Sequence, residues 1–381
     1  MLSALTNRKT RSLIIQSVVL VAVVGIAAAM AVTAHRNMID QGIATGFDFL
    51  ERSTGWPINF ALIDVTARSP YWKMLVAGLL NTLLVGSLGL IFASLVGLFV
   101  GLARIAENGI LNLIGTVYVE IFRNVPMILQ VFFWYAVLTH LPVQRQAISL
   151  GGVVYLSNRG LVLPGLDIAL GAGLLFLAAS LAIVIGASIL QHRLKEPVAW
   201  LWPLAVVLIA IAAALLVAFG RGGGEALVTL PHLRGLRFVG GFSVKPEFTA
   251  LLIAMALFGG AYIGEIVRGG FLSVDQGRIE AARALGLRPG QINRFVRIPL
   301  AVRAMLPALT NQYIWLMKST TLGVAIGFPD YFMVISTSIN QSGQTIELLG
   351  LLMLGFLVIN YSIGSGLNAL NRHLAIKGRG Q

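Results

Sequence analysis

The chain has 381 residues, 57% of them hydrophobic and only 11% charged, with a mean hydropathy of +0.85 and a net charge of +13. That balance is a membrane composition and excludes a string of soluble domains of this length; the positive charge belongs to the flanks of membrane helices and gives no ground for expecting nucleic acid. There is no cysteine, which excludes disulfides, thiolate nucleophiles and cysteine-bound metals.

Asn7-Arg8-Lys9-Thr10-Arg11 precedes an apolar run from about Leu13 to Ala34, long enough for one span at about 1.5 Å per residue. The basic flank predicts a cytoplasmic N-terminus. A cleaved signal peptide, cut near Ala27-Ala28-Ala29, is the rival reading, but the run is longer than a usual signal core. From about His35 to Lys73 the chain turns polar and aromatic, with Phe47, Phe49, Trp56 and Pro57, and reads as a small amphipathic helix on the outer surface. Tyr71 and Trp72, directly before the next span, have the character of interfacial anchors. That span runs from about Leu75 to Ala103. Its Gly97 and Gly101 form a G-x-x-x-G, whose missing side chains let another helix approach closely, and Arg104 marks its cytoplasmic end.

The third span, about Leu113 to Leu141, brings Tyr118, Glu120, Arg123, Asn124, Pro126 and Gln130 into the membrane. Glu120 and Arg123, three apart, share a helix face on which an ion pair lowers the cost of placing either in low dielectric. Such residues either serve function or form a structural pair near the interface. Pro126 frees a carbonyl and is expected to bend the helix near its middle. After a loop to about Pro164 come two more apolar runs, about Leu166 to Leu190 and Trp200 to Phe219, joined by the short basic stretch Gln191 to Pro197. Arg221-Gly222-Gly223-Gly224 lacks the G-K-[ST] ending of a phosphate cradle, and no Walker motif appears anywhere. The sixth span, about Phe248 to Gly270, carries Glu265 and Arg268 three apart.

Asp275 to Leu300 holds Arg278, Arg283, Arg288, Arg294 and Arg297, a density that places it outside the bilayer. Ile279, Ala282 and Gly286 fall at i, i+3 and i+7, so a short helix presents one small apolar face. Gly277 and Pro289-Gly290 are expected to mark its ends. The seventh span, about Ala304 to Gly327, contains Asn311, Gln312, Lys318, Ser319, Thr320 and Thr321. Lys318, far from either end, must snorkel, pair or line a wet cavity, and its neighbours either meet a zwitterion's carboxylate or close helix contacts. The last span, about Ile346 to Leu370, leads to a basic tail. The alternation gives about eight spans with both termini inside, and the loops so placed inside carry more Lys and Arg than those outside.

Glu280-Ala281-Ala282, then Gly286, then Val296-Arg297-Ile298-Pro299 resemble the E-A-A…G…I-x-L-P loop of permease subunits of bacterial ATP-binding-cassette (ABC) importers, with Val296 and Ile298 as conservative departures. The string from Tyr118 to Tyr135 is similar to a segment of the polar and general L-amino-acid permeases. Gly46 to Leu50 resembles their external loop, and the pair of runs at about 166–219 resembles the insertion of the larger general type. The resemblance implies an all-α polytopic membrane protein with a type I ABC importer permease core over 75–372, an N-terminal anchor and external loop over 1–74, and a basic cytoplasmic tail over 373–381. It implies that Glu280, Ala281, Ala282, Gly286 and Pro299 belong to a loop seated in a cleft of a separate cytoplasmic ATPase. Glu120, Arg123, Asn124, Gln130, Asn311, Gln312, Lys318, Ser319 and Thr320 are the candidates for the substrate path. This chain is then a transport subunit of the bacterial inner membrane with no catalytic residue, metal or cofactor of its own, ATP being bound by the partner. Its expected partners are the ATPase, a second permease (a homologue or a second copy), a periplasmic amino-acid-binding protein and the lipid bilayer.

Two rivals belong to other classes. An ion-gradient-driven secondary amino-acid transporter normally shows repeat-related halves with matching broken helices, and the sequence shows no such repeat. A membrane enzyme needs a nucleophile or a metal cluster, but His35, His140, His192, His232 and His373 are scattered without ligand spacing.

Overall fold

The computed structural model describes residues 8–40, 46–193, 200–221 and 227–374. Most of the Gln191–Pro197 connector, the glycines after Arg221, and the end of the basic tail lie outside these residues. The helices are α1 (Arg8–Asp40), α2 (Tyr71–Arg104), α3 (Gly109–Asn124), α4 (Met127–Thr139), α5 (Leu170–Arg193), α6 (Leu201–Phe219), α7 (Pro246–Leu272), α8 (Gln276–Ala284), α9 (Pro289–Ile292), α10 (Ile298–Lys318), α11 (Tyr331–Ser342) and α12 (Thr345–Leu374). Among the described residues, α2, α6, α7 and α12 are each long and apolar enough to cross a membrane. Two bent pairs, α3 with α4 and α10 with α11, pass the same test together.

The core is built on α2 and α7, the most extensive helix pair. Gly97 lies against Ile263 and the carbonyl of Gly260, and Gly101 against Val267 and the carbonyl of Gly264, so close that a Cβ at either position would overlap its neighbour. The G-x-x-x-G thus does what its spacing predicts. Around this pair, Met127, Val131 and Leu138 of α4 and Ala301, Met305 and Leu316 of α10 join Met255, Phe258 and Ile263 in one apolar cluster. Many large apolar side chains face outward, including Phe99 on α2, Phe133 on α4, Val206 on α6 and Met353 and Leu357 on α12. That is the surface a hydrocarbon solvent requires.

Several expectations are corrected. The third span is not one helix bent at its middle: α3 and α4 meet at 100°. Val125 before the proline is extended (φ −90°, ψ 122°), the conformation that a following proline favours, and Pro126 then starts α4. Among the described residues between α1 and α2 there is no amphipathic helix: with Gly55 at φ +78° and Pro57 interrupting the segment, residues 46–70 make a 3-10 turn, Asp48–Glu51. Tyr71 is not an interfacial anchor but is buried, its ring meeting Phe49 edge-on at 5.6 Å, whereas Trp72 is exposed. The seventh span ends as an α-helix at Lys318, passes through a 3-10 segment, Ser319–Ile326, and turns at left-handed Gly327 into α11, a helix the sequence reading missed. Asp330, fully buried, caps α11 by accepting the Met333 amide at 2.8 Å.

The fold is also not purely helical. The loops on either side of the inserted pair α5–α6 form short strands: β1 (Ile148–Leu150), β2 (Val154–Ser157), β3 (Gly160–Leu163), β4 (Gly165–Leu166), β5 (Val228–Thr229), β6 (His232–Arg234), β7 (Arg237–Val239) and β8 (Phe242–Val244). They make an antiparallel sheet in the order β1-β2-β3-β8 and two two-stranded ladders, β4-β5 and β6-β7.

Candidate functional site

The basic run between α7 and α10 is three short helical pieces. Asp275, rather than Gly277, starts α8: its carboxylate accepts the Gly277 amide. The helix ends at Gly286, not at Pro289-Gly290. Gly286 takes φ +78°, its amide bonds to the Arg283 carbonyl and the Leu287 amide to the Ala282 carbonyl, the Schellman pattern that satisfies the last turn. Pro289 instead opens α9, where its fixed φ suits a first helical position. Asn293–Arg297 then forms one π turn, in which the Ile298 amide reaches back to the Asn293 carbonyl. Pro299, lacking an amide, leaves the Phe295 carbonyl without its ordinary helical donor, and the wider turn absorbs that loss.

These bonds decide which side of α8 faces out. Ala282 is buried where α8 packs on α9 and the π turn. Glu280, Ala281, Gly286, Pro299 and Leu285 are exposed. The outward face is therefore carried by Glu280, Ala281 and Leu285, and the apolar side chains of Ile279 and Ala282 serve the loop's own packing. Arg297 lies over the Phe271 ring at 5.6 Å, which ties the π turn to the end of α7.

An ion-pair cluster sits two turns before this loop. Glu265 pairs with Arg268 on its own helix, at 2.6 Å, and with Arg104 at the end of α2. The first pair is legible from i, i+3 spacing. The second is not, since Arg104 reads only as the end of a span.

The substrate-path candidates do not converge on one site. Glu120 and Arg123 form no ion pair: the Asn124 amide donates to Glu120 at 3.2 Å, and the Arg123 guanidinium lies over the Tyr262 ring at 5.1 Å. Tyr262 in turn packs near Phe258 and Trp315, with centroids 4.9 Å and 6.5 Å away. Arg123 thus meets the negative face of an aromatic ring on α7 instead of a carboxylate on its own helix. Gln130 is buried, and its amide nitrogen donates to the carbonyls of Phe122 and Val125, both at 3.0 Å. It thus occupies backbone acceptors left over by the helix break, and it lines a cavity of about 590 Å³ with Phe122, Leu129 and Trp134.

The other candidates lie around the end of α10. Lys318 closes α10 near the middle of the bent α10–α11 pair and is exposed to a cavity of about 550 Å³ bounded by Ile128, Thr321, Phe332, Leu352 and Phe356. Ser319 and Thr320 are buried, and their hydroxyls donate to the Leu316 and Met317 carbonyls at 2.7 and 3.0 Å. Those bonds are spent on the 3-10 turn. Asn311 is exposed, and the side-chain amide nitrogen of Gln312 is buried without a partner. Among the described residues no group of His, Asp or Glu is arranged to hold a metal.

Residues 197–375 match the family described as binding-protein-dependent transport system inner membrane component. Over 97% of its length the chain is 40% identical to the amino-acid ABC transporter permease protein YhdX of Escherichia coli K12, of which it covers 95%. It is 36% identical to the general L-amino acid transport system permease protein AapQ of Rhizobium johnstonii, over 98% of this chain and 94% of that one. Against the glutamate/glutamine/aspartate/asparagine transport system permease protein BztB of Rhodobacter capsulatus it is 32% identical over 98% and 96%. These matches run nearly end to end and include α5–α6 and the strands beside them. The chain belongs to the binding-protein-dependent transport system inner membrane components, the permease family of ABC importers.

Proposed function

We propose that this permease carries amino acids inward, in the manner of the general L-amino-acid systems, driven by ATP bound on a separate ATPase. The observation that carries the reading is the charged segment 275–300 between α7 and α10, on a chain alike end to end to permeases named for amino-acid transport. The outward side of α8, with Glu280, Ala281 and Leu285, docks on the ATPase. Ala282, Gly286 and Pro299 hold its shape. A rigid displacement of α8–α9 passes into α7 and α10, and through Glu265–Arg104 into α2. Lys318 and Gln130 are the path candidates best placed to meet substrate, each lining a cavity; the other path residues shape the elbows around them.

In this reading the anchor and external loop occupy 1–74, the permease core 75–372 with its insert, and the tail 373–381. α1, α2, α3–α4, α5, α6, α7, α10–α11 and α12 make the eight spans, with both termini and α8 on the cytoplasmic side and the strand-bearing loops outside. A second permease covers part of the apolar surface, and a periplasmic binding protein delivers the substrate. No cofactor resides on this chain. A secondary transporter driven by an ion gradient is not favoured, since the family's members work in binding-protein-dependent systems.

The test is uptake of a labelled amino-acid panel into proteoliposomes holding the chain with its ATPase, second permease and binding protein, native against Ala281→Trp. Uptake that needs ATP and is lost in the variant supports the reading. Uptake that persists without ATP and follows a proton or sodium gradient overturns it.

A further inference from the structure

Asp330 sits in the turn between the two halves of the bent span α10–α11, and the transport cycle gives it no part. Among the described residues it is the only fully buried carboxylate. Its Oδ1 accepts the Met333 amide at 2.8 Å, while its Oδ2 is enclosed without a hydrogen-bond partner. No Lys, Arg or His pairs with it among the described residues.

The residues on either side of Asp330 are tied to α2. Asn81 donates both hydrogens of its side-chain amide, one to the Pro329 carbonyl at 2.8 Å and one to the Phe60 carbonyl at 2.9 Å. Thr82 accepts the Tyr331 amide at 2.9 Å. Two carbonyl acceptors fix which end of the Asn81 amide is nitrogen, so its Oδ1 points elsewhere, and that oxygen too is buried without a donor. Residues 329–331, held against 81–82, therefore enclose two acceptors with nothing to donate to either.

The groups around the turn bring no counter-charge. From α2 come Gly78, Asn81 and Thr82, and from the external loop Phe60. Tyr331 is titratable, but its hydroxyl donates to the Leu351 carbonyl of α12 at 2.8 Å. An enclosed anion without a cation is costly, and each unpartnered oxygen adds its own desolvation. The N-terminus of α11 favours an anion and offsets part of the first cost, but it gives Asn81 no donor. A proton on Oδ2 removes the charge and turns one of the two acceptors into the donor that the other lacks.

We propose that Asp330 is held as the neutral acid and donates from Oδ2 to Oδ1 of Asn81, so that one bound proton fastens α11 to α2 beside the external loop. Asp330 is then a positioning residue for the bend in this span. A proton fits better than a hard metal cation, which takes about six oxygens or more where this turn has two free ones. The assignment needs the membrane fold alone and does not depend on the importer reading.

The experiment is infrared spectroscopy of the full chain in nanodiscs at neutral pH, with Asp330→Asn and Asp330→Ala alongside. The native protein is expected to show the stretch of a protonated carboxyl, absent from Asp330→Asn and shifted by isotope-labelled aspartate. The label assigns the band even where a variant does not fold. Asp330→Asn keeps an acceptor for the Met333 amide and presents an N–H where the acid has its O–H, so it should melt with the native protein. Asp330→Ala should melt about 5 °C or more lower. In Asn81→Ala the band should move to higher frequency as its hydrogen bond is lost; a band that stays in place overturns Asn81 as the acceptor. The absence of any protonated aspartate band overturns the proposal, because the carboxylate is then ionised and met by water. Native melting that rises with sodium concentration, and does not in Asp330→Asn, overturns it in favour of a bound cation. Asp330→Asn melting as low as Asp330→Ala overturns it as well, since the neutral isostere then fails to replace the acid.

Discussion

Arg104, in the last turn of α2, is paired with Glu265 of α7, 161 positions later in the chain. Arg104 is the more enclosed partner, its side chain 11% exposed, and Glu265 also holds Arg268 at the same level. The pair joins the two helices of the core at the end from which the basic loop departs.

Glu265→Gln should therefore cost more than the loss of a surface pair. It leaves an enclosed guanidinium without its anion, a loss of about 1–3 kcal/mol, whereas Arg268→Gln, which breaks an i, i+3 pair a third exposed, should cost about 0.3–0.5 kcal/mol. Thermal unfolding in detergent should rank the two in that order. A double-mutant cycle of Arg104→Gln with Glu265→Gln should return a coupling energy clearly different from zero; additive effects would mean that the pair does not join the helices.

Gly97→Leu and Gly101→Leu should separate α2 from α7, because the added carbons meet Ile263 and Val267 with no room to move. A cost of about 1–3 kcal/mol or more is expected at each. Gly109→Leu, where a Cβ meets nothing, is the control. Yield of monodisperse protein and melting temperature should fall for the first two and hold for the third.

Within the basic loop, Gly286→Trp is a poor test of docking, because φ +78° makes any side chain costly; even Gly286→Ala should lose about 1 kcal/mol. Ala281→Trp, on the exposed side of α8, should leave melting unchanged while abolishing ATP-dependent uptake. Ala282→Trp should lower melting, since it overfills a buried position. Equal uptake by native protein and Ala281→Trp would show that the outward side of α8 is not the docking face.

Gln130→Leu and Lys318→Met should part along different lines. Removing the Gln130 amide leaves the Phe122 and Val125 carbonyls without donors at the elbow, costing about 1–3 kcal/mol. Lys318→Met removes a charge that faces a cavity and should change melting little, while altering the rate or selectivity of uptake. Melting and uptake measured on both variants would show whether Gln130 is structural and Lys318 functional, or the reverse.

The legible part of this protein is what local composition dictates. Apolar runs locate the long helices, five arginines expel 275–300 from the bilayer, and Gly97 with Gly101 announce a close helix contact. What stayed hidden depends on residues distant in sequence or on dihedrals the pattern does not carry. Pro126 declares an interruption, but whether it yields a gentle bend or a 100° elbow depends on what α4 packs against. Glu120 and Arg123 have the spacing of a pair, yet Tyr262, more than a hundred positions on, takes the arginine. Ala282 reads as part of an outward face because periodicity gives a helix's faces without saying which neighbour covers them. The strands were missed because each is two to four residues long, too short for alternation to register, and β3 pairs with β8 across the whole insert.

That last pairing bears on how the insert came to sit where it does. Leu163 and Phe242 are cross-strand partners, and Gly165 pairs with Thr229 just beyond them. The chain therefore leaves the body and returns to it at almost the same point. A segment whose ends already touch adds little strain to its host, and the rest of the fold need not register its length. Residues 164–241 thus form a cassette whose two ends meet at this ladder, with Phe238 of β7 also resting on Tyr155 of β2. A two-residue turn joining Leu163 to Phe242 would close the gap, and the shortened chain should keep the α2–α7 core intact.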